Sequence, residues 1–215
     1  MGRSWYSPPG GLYLALLVAP ETLPPHTQLY PLAAGLAACT TLRRYLPQAR
    51  LKWINDVHVA GRKLCGCLAE SFHSARFRQE YLLLGIGVNA NIESFPPELD
   101  GQATSLALEL GGPVDLDLLC ARLINQLGLW LGLLHHFEAR LLEAEHSETQ
   151  PEDPLVAAFR ALTDSLGRQV LYRAGEADAG RKALAVDIAE DGGLILELEG
   201  GLRHTAYGGE IVHLD

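Results

Sequence analysis

The chain changes its pattern at Gly167, and that change divides what it can fold into. Beyond it come five short strand-like runs: residues 169–172, 182–188, 193–198, 201–205 and 210–213. Glu190-Asp-Gly-Gly193, Glu199-Gly-Gly201 and Gly208-Gly209 cut them apart with turn-forming residues. Five strands packed this closely predict a small antiparallel barrel over residues 166–215.

Residues 1–165 read differently. A Pro/Gly-rich turn at Ser7-Pro-Pro-Gly-Gly11 feeds Leu12–Val18, an apolar run that predicts a buried strand. Leu29–Tyr45 carries apolar residues at helical spacing, and Arg43-Arg44 suits a helix C-terminus. Strands are expected at Leu51–Trp53, at Val57–Val59 leading through Ala60-Gly-Arg62 into Leu64–Leu68, and at Tyr81–Asn89. A long helix is expected from Leu116 to about Glu145 with a break near Gly132, then a polar loop at His146–Pro154 and a last helix over Leu155–Leu166. The chain therefore reads as α+β, a mixed β-sheet with flanking helices plus the small terminal barrel.

Composition narrows the function classes. Apolar residues are 48% and charged residues 20% of the 215, which describes an ordered globular chain. A net charge of −9 argues against general nucleic-acid binding, since phosphate contacts need clustered Lys and Arg. No uninterrupted apolar run approaches the roughly 20 residues of a membrane helix. Cys39, Cys65, Cys67 and Cys120 lack metal-type spacing, so they read as small core side chains in a reducing cytoplasm. His135-His136 read as a solvated helix face.

The chemistry concentrates in Lys52-Trp-Ile-Asn-Asp-Val57, followed by Gly61-Arg-Lys63, Gly66 and Glu70. Two lysines and an amide–carboxylate pair between apolar strands suit an anionic ligand that must be held and polarised. By position alone, Lys63 reads as readily as a solvated strand-end lysine, and Asn55-Asp56 as a turn cap. Gly85-Ile-Gly87-Val-Asn89 ends an apolar strand with two glycines, which would let a flat ligand approach the backbone. It is not a dinucleotide fingerprint, because no third glycine opens a helix.

In this order the elements resemble the biotin–protein ligase family. Lys52–Glu70 is similar to its Lys-Trp-Pro-Asn-Asp hairpin and Lys-x-x-Gly strand, Gly85–Asn91 to its Gly-Ile-Gly-x-Asn strand, and Ala103-Thr-Ser-Leu106 to the segment that follows. Gly2–Tyr13 resembles the end of the family's glycine–arginine loop and the next strand, and 166–215 its SH3-like C-terminal domain. Ile54 stands where proline is usual and Ala15 where serine is common. The chain begins inside the glycine–arginine loop, so a strand, a helix and a second strand are expected upstream in a longer product.

The resemblance implies a class II synthetase-like catalytic core and a two-step reaction. Biotin and ATP-Mg²⁺ would give biotinyl-5′-AMP, which would acylate a lysine of a biotin carboxyl carrier protein domain. Lys63 would be catalytic and contact biotin, with Gly66, Leu68 and Gly85 lining the biotin pocket. Arg3, Trp5, Lys52, Asn55, Asp56, Gly87, Val88 and Asn89 would handle ATP and the adenylate, with Trp5 against the adenine. Magnesium would arrive with ATP near Asp56, without a metal site from protein alone. A homodimer through the central sheet is compatible with the family, whereas a membrane or nucleic-acid partner is not expected of this chain. The alternatives are a truncated or degenerate non-catalytic paralogue and a lipoate-ligase-like enzyme.

Overall fold

Alternation along β1 (Leu12–Val18) turns Leu12, Leu14, Leu16 and Val18 toward the core and Tyr13, Ala15 and Leu17 outward. The computed structural model describes residues 5–20, 24–143, 153–175 and 177–214. In it β1 pairs with β5 (Gln79–Val88), followed by β4 (Arg62–Ser74), β3 (Asp56–Val59) and β2 (Arg50–Lys52). Every ladder of this sheet is antiparallel, and among the described residues parallel pairing is confined to two isolated bridges, Leu51 with Thr163 and Lys63 with Ala103.

Paired residues in an antiparallel ladder share a face, so the register fixes what each face presents. Leu51, Val57, Cys65, Val88 and Leu12 form one transverse row, and it faces the helices. Against that face lies α1 (Leu29–Leu42), buried over nearly its whole length. Ala33, Ala34, Gly35, Ala37 and Ala38 keep it thin, which lets the sheet and neighbouring helices close on it from several sides. A Cβ on Gly35 would stand 3.2 Å from the Asn55 Cα, so the loop after β2 rests directly on this helix.

The long helix α3 (Leu116–Glu143) packs Leu119, Leu123, Leu127 and Leu134 inward. It runs through Gly132 without the expected break, its apolar stripe packing chiefly against α1. Residues 116–141 contain an 18-residue stretch of mean hydropathy 1.3, enough to cross a membrane by length and composition alone. Arg122 and Glu138 interrupt the apolar run, which hides that length from a search for unbroken hydrophobicity. His135 is half-buried, its Nε2 3.1 Å from the Tyr30 hydroxyl, while His136 is exposed. The helix after the expected polar loop, α4, spans Pro154–Leu162 and is capped by Asp153, whose Oδ1 accepts from the Leu155 amide at 2.7 Å. Residues 146–152 of that loop, and residues 144 and 145 at the expected end of α3, lie outside the described residues.

The five terminal strands are β6 (Gln169–Arg173), β7 (Arg181–Ile188), β8 (Leu194–Leu198), β9 (Arg203–Ala206) and β10 (Glu210–His213). They form an antiparallel ladder in the order β10-β6-β7-β8-β9, and among the described residues no β9–β10 pairing closes it into a barrel. This sheet is pinned to the first one. The Trp53 indole N–H donates to the Gly192 carbonyl at 3.4 Å, and the Trp53 amide donates to Ser165 Oγ at 3.1 Å. Arg160 of α4 pairs with Asp187 of β7 at 2.8 Å. Gly192, at φ +87°, fits against Leu29 and Leu32 of α1, where a side chain would crowd both.

Candidate active site

The face opposite α1 carries the chemistry. One transverse row across it reads Lys52, Asp56, Gly66, Gly87, Tyr13, and the next reads Leu68, Gly85, Ala15. Polar groups thus occupy the β2–β3 end, and a flat strip without side chains fills the middle. Trp5 covers that strip: a Cβ on Gly66 or on Gly87 would stand 2.7 Å from its ring. The glycines are therefore required by close approach of an aromatic plane.

Lys63 reaches the same spot by a break in alternation. Val57 pairs with Cys65, but the next pair is His58 with Lys63, so Leu64 is an extra residue on β4. Without this bulge, strict alternation from Cys65 would send Lys63 into the helix-facing core. With it, the ammonium lies 2.6 Å from Asp56 Oδ2 and 5.3 Å from the centre of the Trp5 ring. Two carbonyl–amide links hold the Lys63 backbone: its N–H donates to the Gln102 carbonyl at 2.8 Å, and its carbonyl accepts from Thr104 at 3.0 Å. The Ala103-Thr-Ser-Leu106 segment is thereby a brace for Lys63. Ser105 in turn caps α2 (Leu106–Leu110), and Glu109 of α2 binds both Thr104 and Arg62.

Burial alone would raise the Asp56 carboxyl, but the His58 imidazole and the Lys63 ammonium outweigh it and hold the group below its usual 3.8. Burial pushes Lys52 below the ordinary 10.5, opposed by the Asp56 and Glu210 carboxylates. The site is a partly desolvated set of two cations and one anion beside a flat apolar floor. Such a set can take up an anionic group and stabilise growing negative charge.

The expected residues divide by face. Trp5, Lys52, Asp56, Lys63, Gly66, Leu68, Gly85 and Gly87 meet on the strip and its rim. Val88 does not: it is 1% exposed on the helix-facing side, so only its backbone underlies the strip. Asn89 is buried as a strut, its amide donating to the Lys63 carbonyl at 3.2 Å and its backbone linking Leu64 to Leu106. Asn55 rests on Gly35 of α1. Arg3 lies outside the described residues. Tyr13 and His58 were not anticipated, though each is two positions from a residue of known facing and strand alternation could have found them. Among the described residues no cluster of three His, Cys, Asp or Glu side chains could hold a metal, and Asp56 is committed to Lys63. All four cysteines are free; Cys39 and Cys65 are buried, and burial pushes the Cys39 thiol up to about 12, whereas Cys67 and Cys120 are half-buried.

The chain matches known proteins in sequence and in fold. Residues 1–89 match the sequence model of the Biotin/lipoate A/B protein ligase family, and residues 165–214 match the Biotin protein ligase C terminal domain. The chain belongs to the biotin protein ligase family. It is 33% identical over 190 residues to a biotin–[acetyl-CoA-carboxylase] ligase of Mycobacterium tuberculosis, covering 85% of this chain and 61% of that one. It is 28% identical to the bifunctional ligase/repressor BirA of Bacillus spizizenii, covering 94% of this chain and 59% of that protein. The chain thus spans about three fifths of the length of these curated relatives. The biotin protein ligase of Aquifex aeolicus, solved in complex with biotin and ATP, superposes with a TM-score of 0.77 at 26% identity, covering 99% of this chain and 82% of that one.

Proposed function

We propose that this chain forms the adenylate-handling part of an enzyme that joins biotin to ATP, giving biotinyl-5′-AMP and pyrophosphate, and passes the biotinyl group to a carrier lysine. The observation that carries this reading is the placement of the Lys63 ammonium, at 2.6 Å from Asp56 and over the Trp5 ring, at the edge of the Gly66–Gly87 floor. In the reaction the biotin carboxylate attacks the α-phosphorus and pyrophosphate leaves. Negative charge grows on the α-phosphate oxygens, where Lys63 and Lys52 stabilise it. Leu68, Gly85 and Ala15 offer an apolar row for the biotin body, and Trp5 a plane for the adenine. Magnesium enters as part of the nucleotide, near Asp56.

The carrier is a biotin carboxyl carrier domain of the kind that a biotin–[acetyl-CoA-carboxylase] ligase implies, and the working compartment is the cytoplasm. We divide the chain at residues 165 and 166, with the catalytic core before and the accessory sheet after. The match of 165–214 to a C-terminal domain of biotin protein ligases favours biotin over lipoate. The deciding assay mixes the protein, ATP and a carrier domain with biotin or lipoate. Biotin-dependent labelling of the carrier supports the reading, and lipoate labelling in its place refutes it.

A further inference from the structure

His58 is a residue of the site that the proposed reaction leaves unused. It is nine-tenths buried, and its Nδ1 lies 3.2 Å from the Gly61 carbonyl. A carbonyl only accepts, so Nδ1 carries a proton. The other nitrogen, Nε2, is sealed from solvent and lacks a hydrogen-bond partner among the described residues. It points at Asp56 Oδ2 from 4.0 Å, the same oxygen that Lys63 holds at 2.6 Å. At that distance the imidazole already helps to hold the Asp56 carboxyl below its usual range, but the contact is longer than a hydrogen bond. A buried nitrogen left unpaired is costly, and here it faces a carboxylate whose present partner must move for the proposed chemistry.

The β4 bulge makes this arrangement by pairing His58 with Lys63. The backbone holds His58 at the turn through Gly61, whereas Lys63 is a flexible four-carbon arm. Asp56 therefore sits between a fixed partner and a mobile one. When Lys63 swings to an anionic reactant, it leaves a partly buried carboxylate behind, and such a charge calls for another donor. Lys52, across the strand pair from Asp56, is the other cation nearby, and it faces the same anionic reactant.

We propose that His58 is a positioning residue that takes over the Asp56 carboxylate when Lys63 leaves it to engage the anionic reactant. The ring then carries protons on both nitrogens, Nδ1 still donating to Gly61 and Nε2 now donating to Asp56. The second proton is taken up from solvent as the departure of Lys63 opens the site, so the Asp56–His58 pair passes from a net charge of −1 to neutral while the Lys63 charge is released to the substrate. Asp56, Lys63, Lys52 and Arg50, the last directly opposite His58 across the β2–β3 pair, are charged groups of the sheet beside the imidazole, and His213 of β10 is an ionisable group of the second sheet that couples to it.

The kinetic arm of the test rests on the proposed ligase reaction, and the structural arm does not. In a crystal structure of Lys63→Met, the Nε2–Oδ2 separation is expected to contract from 4.0 Å to about 3 Å. A separation unchanged from the parent overturns the proposal, whatever the reaction. Kinetically, His58→Phe should lower kcat for adenylate formation about tenfold with the biotin KM within about threefold, and His58→Gln, which keeps a donor near Nε2, should recover most of the loss. A His58→Phe enzyme as fast as the parent, or a folded His58→Gln enzyme as slow as His58→Phe, also overturns it. If the parent protein makes no adenylate, the ligase reading fails and the structural arm decides the role of His58 alone.

Discussion

Lys63 and Asp56 meet at 2.6 Å because β4 carries one residue more than its partner β3. The bulge converts a lysine that alternation would point inward into one that stands at the rim of a glycine floor. Register, rather than the presence of a lysine, makes the site.

Removal of the ammonium should abolish most of the chemistry while sparing the fold. Lys63→Ala is expected to slow biotinyl-adenylate formation by two to three orders of magnitude, as for loss of one preorganised charge donor, roughly 3–4 kcal/mol. Its side chain is one-third exposed and its partner is at the surface of the sheet. The thermal midpoint should therefore move little, which scanning calorimetry would check.

Asp56 should leave an acid signature. Its folded pKa is depressed below 3.8, so its stabilising contribution is complete above that value and is lost as pH falls through the folded pKa. Asp56→Asn should therefore lower the thermal midpoint at pH 7, and the deficit should shrink as pH falls below about 4, where the parent loses the same contribution. Melting curves of both proteins from pH 7 to pH 2.5 test this.

Lys52 has the opposite sign. Burial lowers its folded pKa below 10.5, so the charged lysine is carried at a cost that fades as pH rises toward 10.5. Lys52→Met is expected to raise the thermal midpoint at pH 7 and to narrow that gain at pH 10. The same variant should weaken ATP use, a trade of stability against function. Parallel melting and ATP-KM measurements decide it.

A methyl group on the floor should expel the indole. In Gly87→Ala the new Cβ would lie 2.7 Å from Trp5, which is 38% exposed and free to swing outward. Trp5 emission should shift to the red, with Trp5→Phe as the control that isolates it from Trp53 and Trp130. Adenylate binding should weaken about tenfold, near 1.4 kcal/mol.

Much of the fold was legible because its periodicities are local. β10 falls on residues 210–213 as expected, and α1 begins at Leu29. The outer half of the β4–β5 hairpin was not legible. Glu70–Ser74 is polar and exposed on both faces, and ladder pairing together with the Phe72–Tyr81 stack makes it a strand. Lys63, Asp56, Gly66 and Gly87 were legible as a constellation through family resemblance, each being ambiguous alone. Val88 and Asn89 show the limit: contiguity in sequence suggested one surface, and a period of two puts Val88 on the opposite face from Gly87. The bulge that aims Lys63 has no composition signal at all, since Leu64 is as apolar as a regular strand residue.

The central claim is that Lys63 on this glycine floor activates biotin. It is tested most directly by mixing the purified chain with biotin and α-labelled ATP and resolving labelled biotinyl-5′-AMP. The account predicts biotin-dependent adenylate with release of pyrophosphate, lost in Lys63→Ala. A folded parent protein that forms no adenylate, or a Lys63→Ala variant that forms it at the parent rate, would contradict the account.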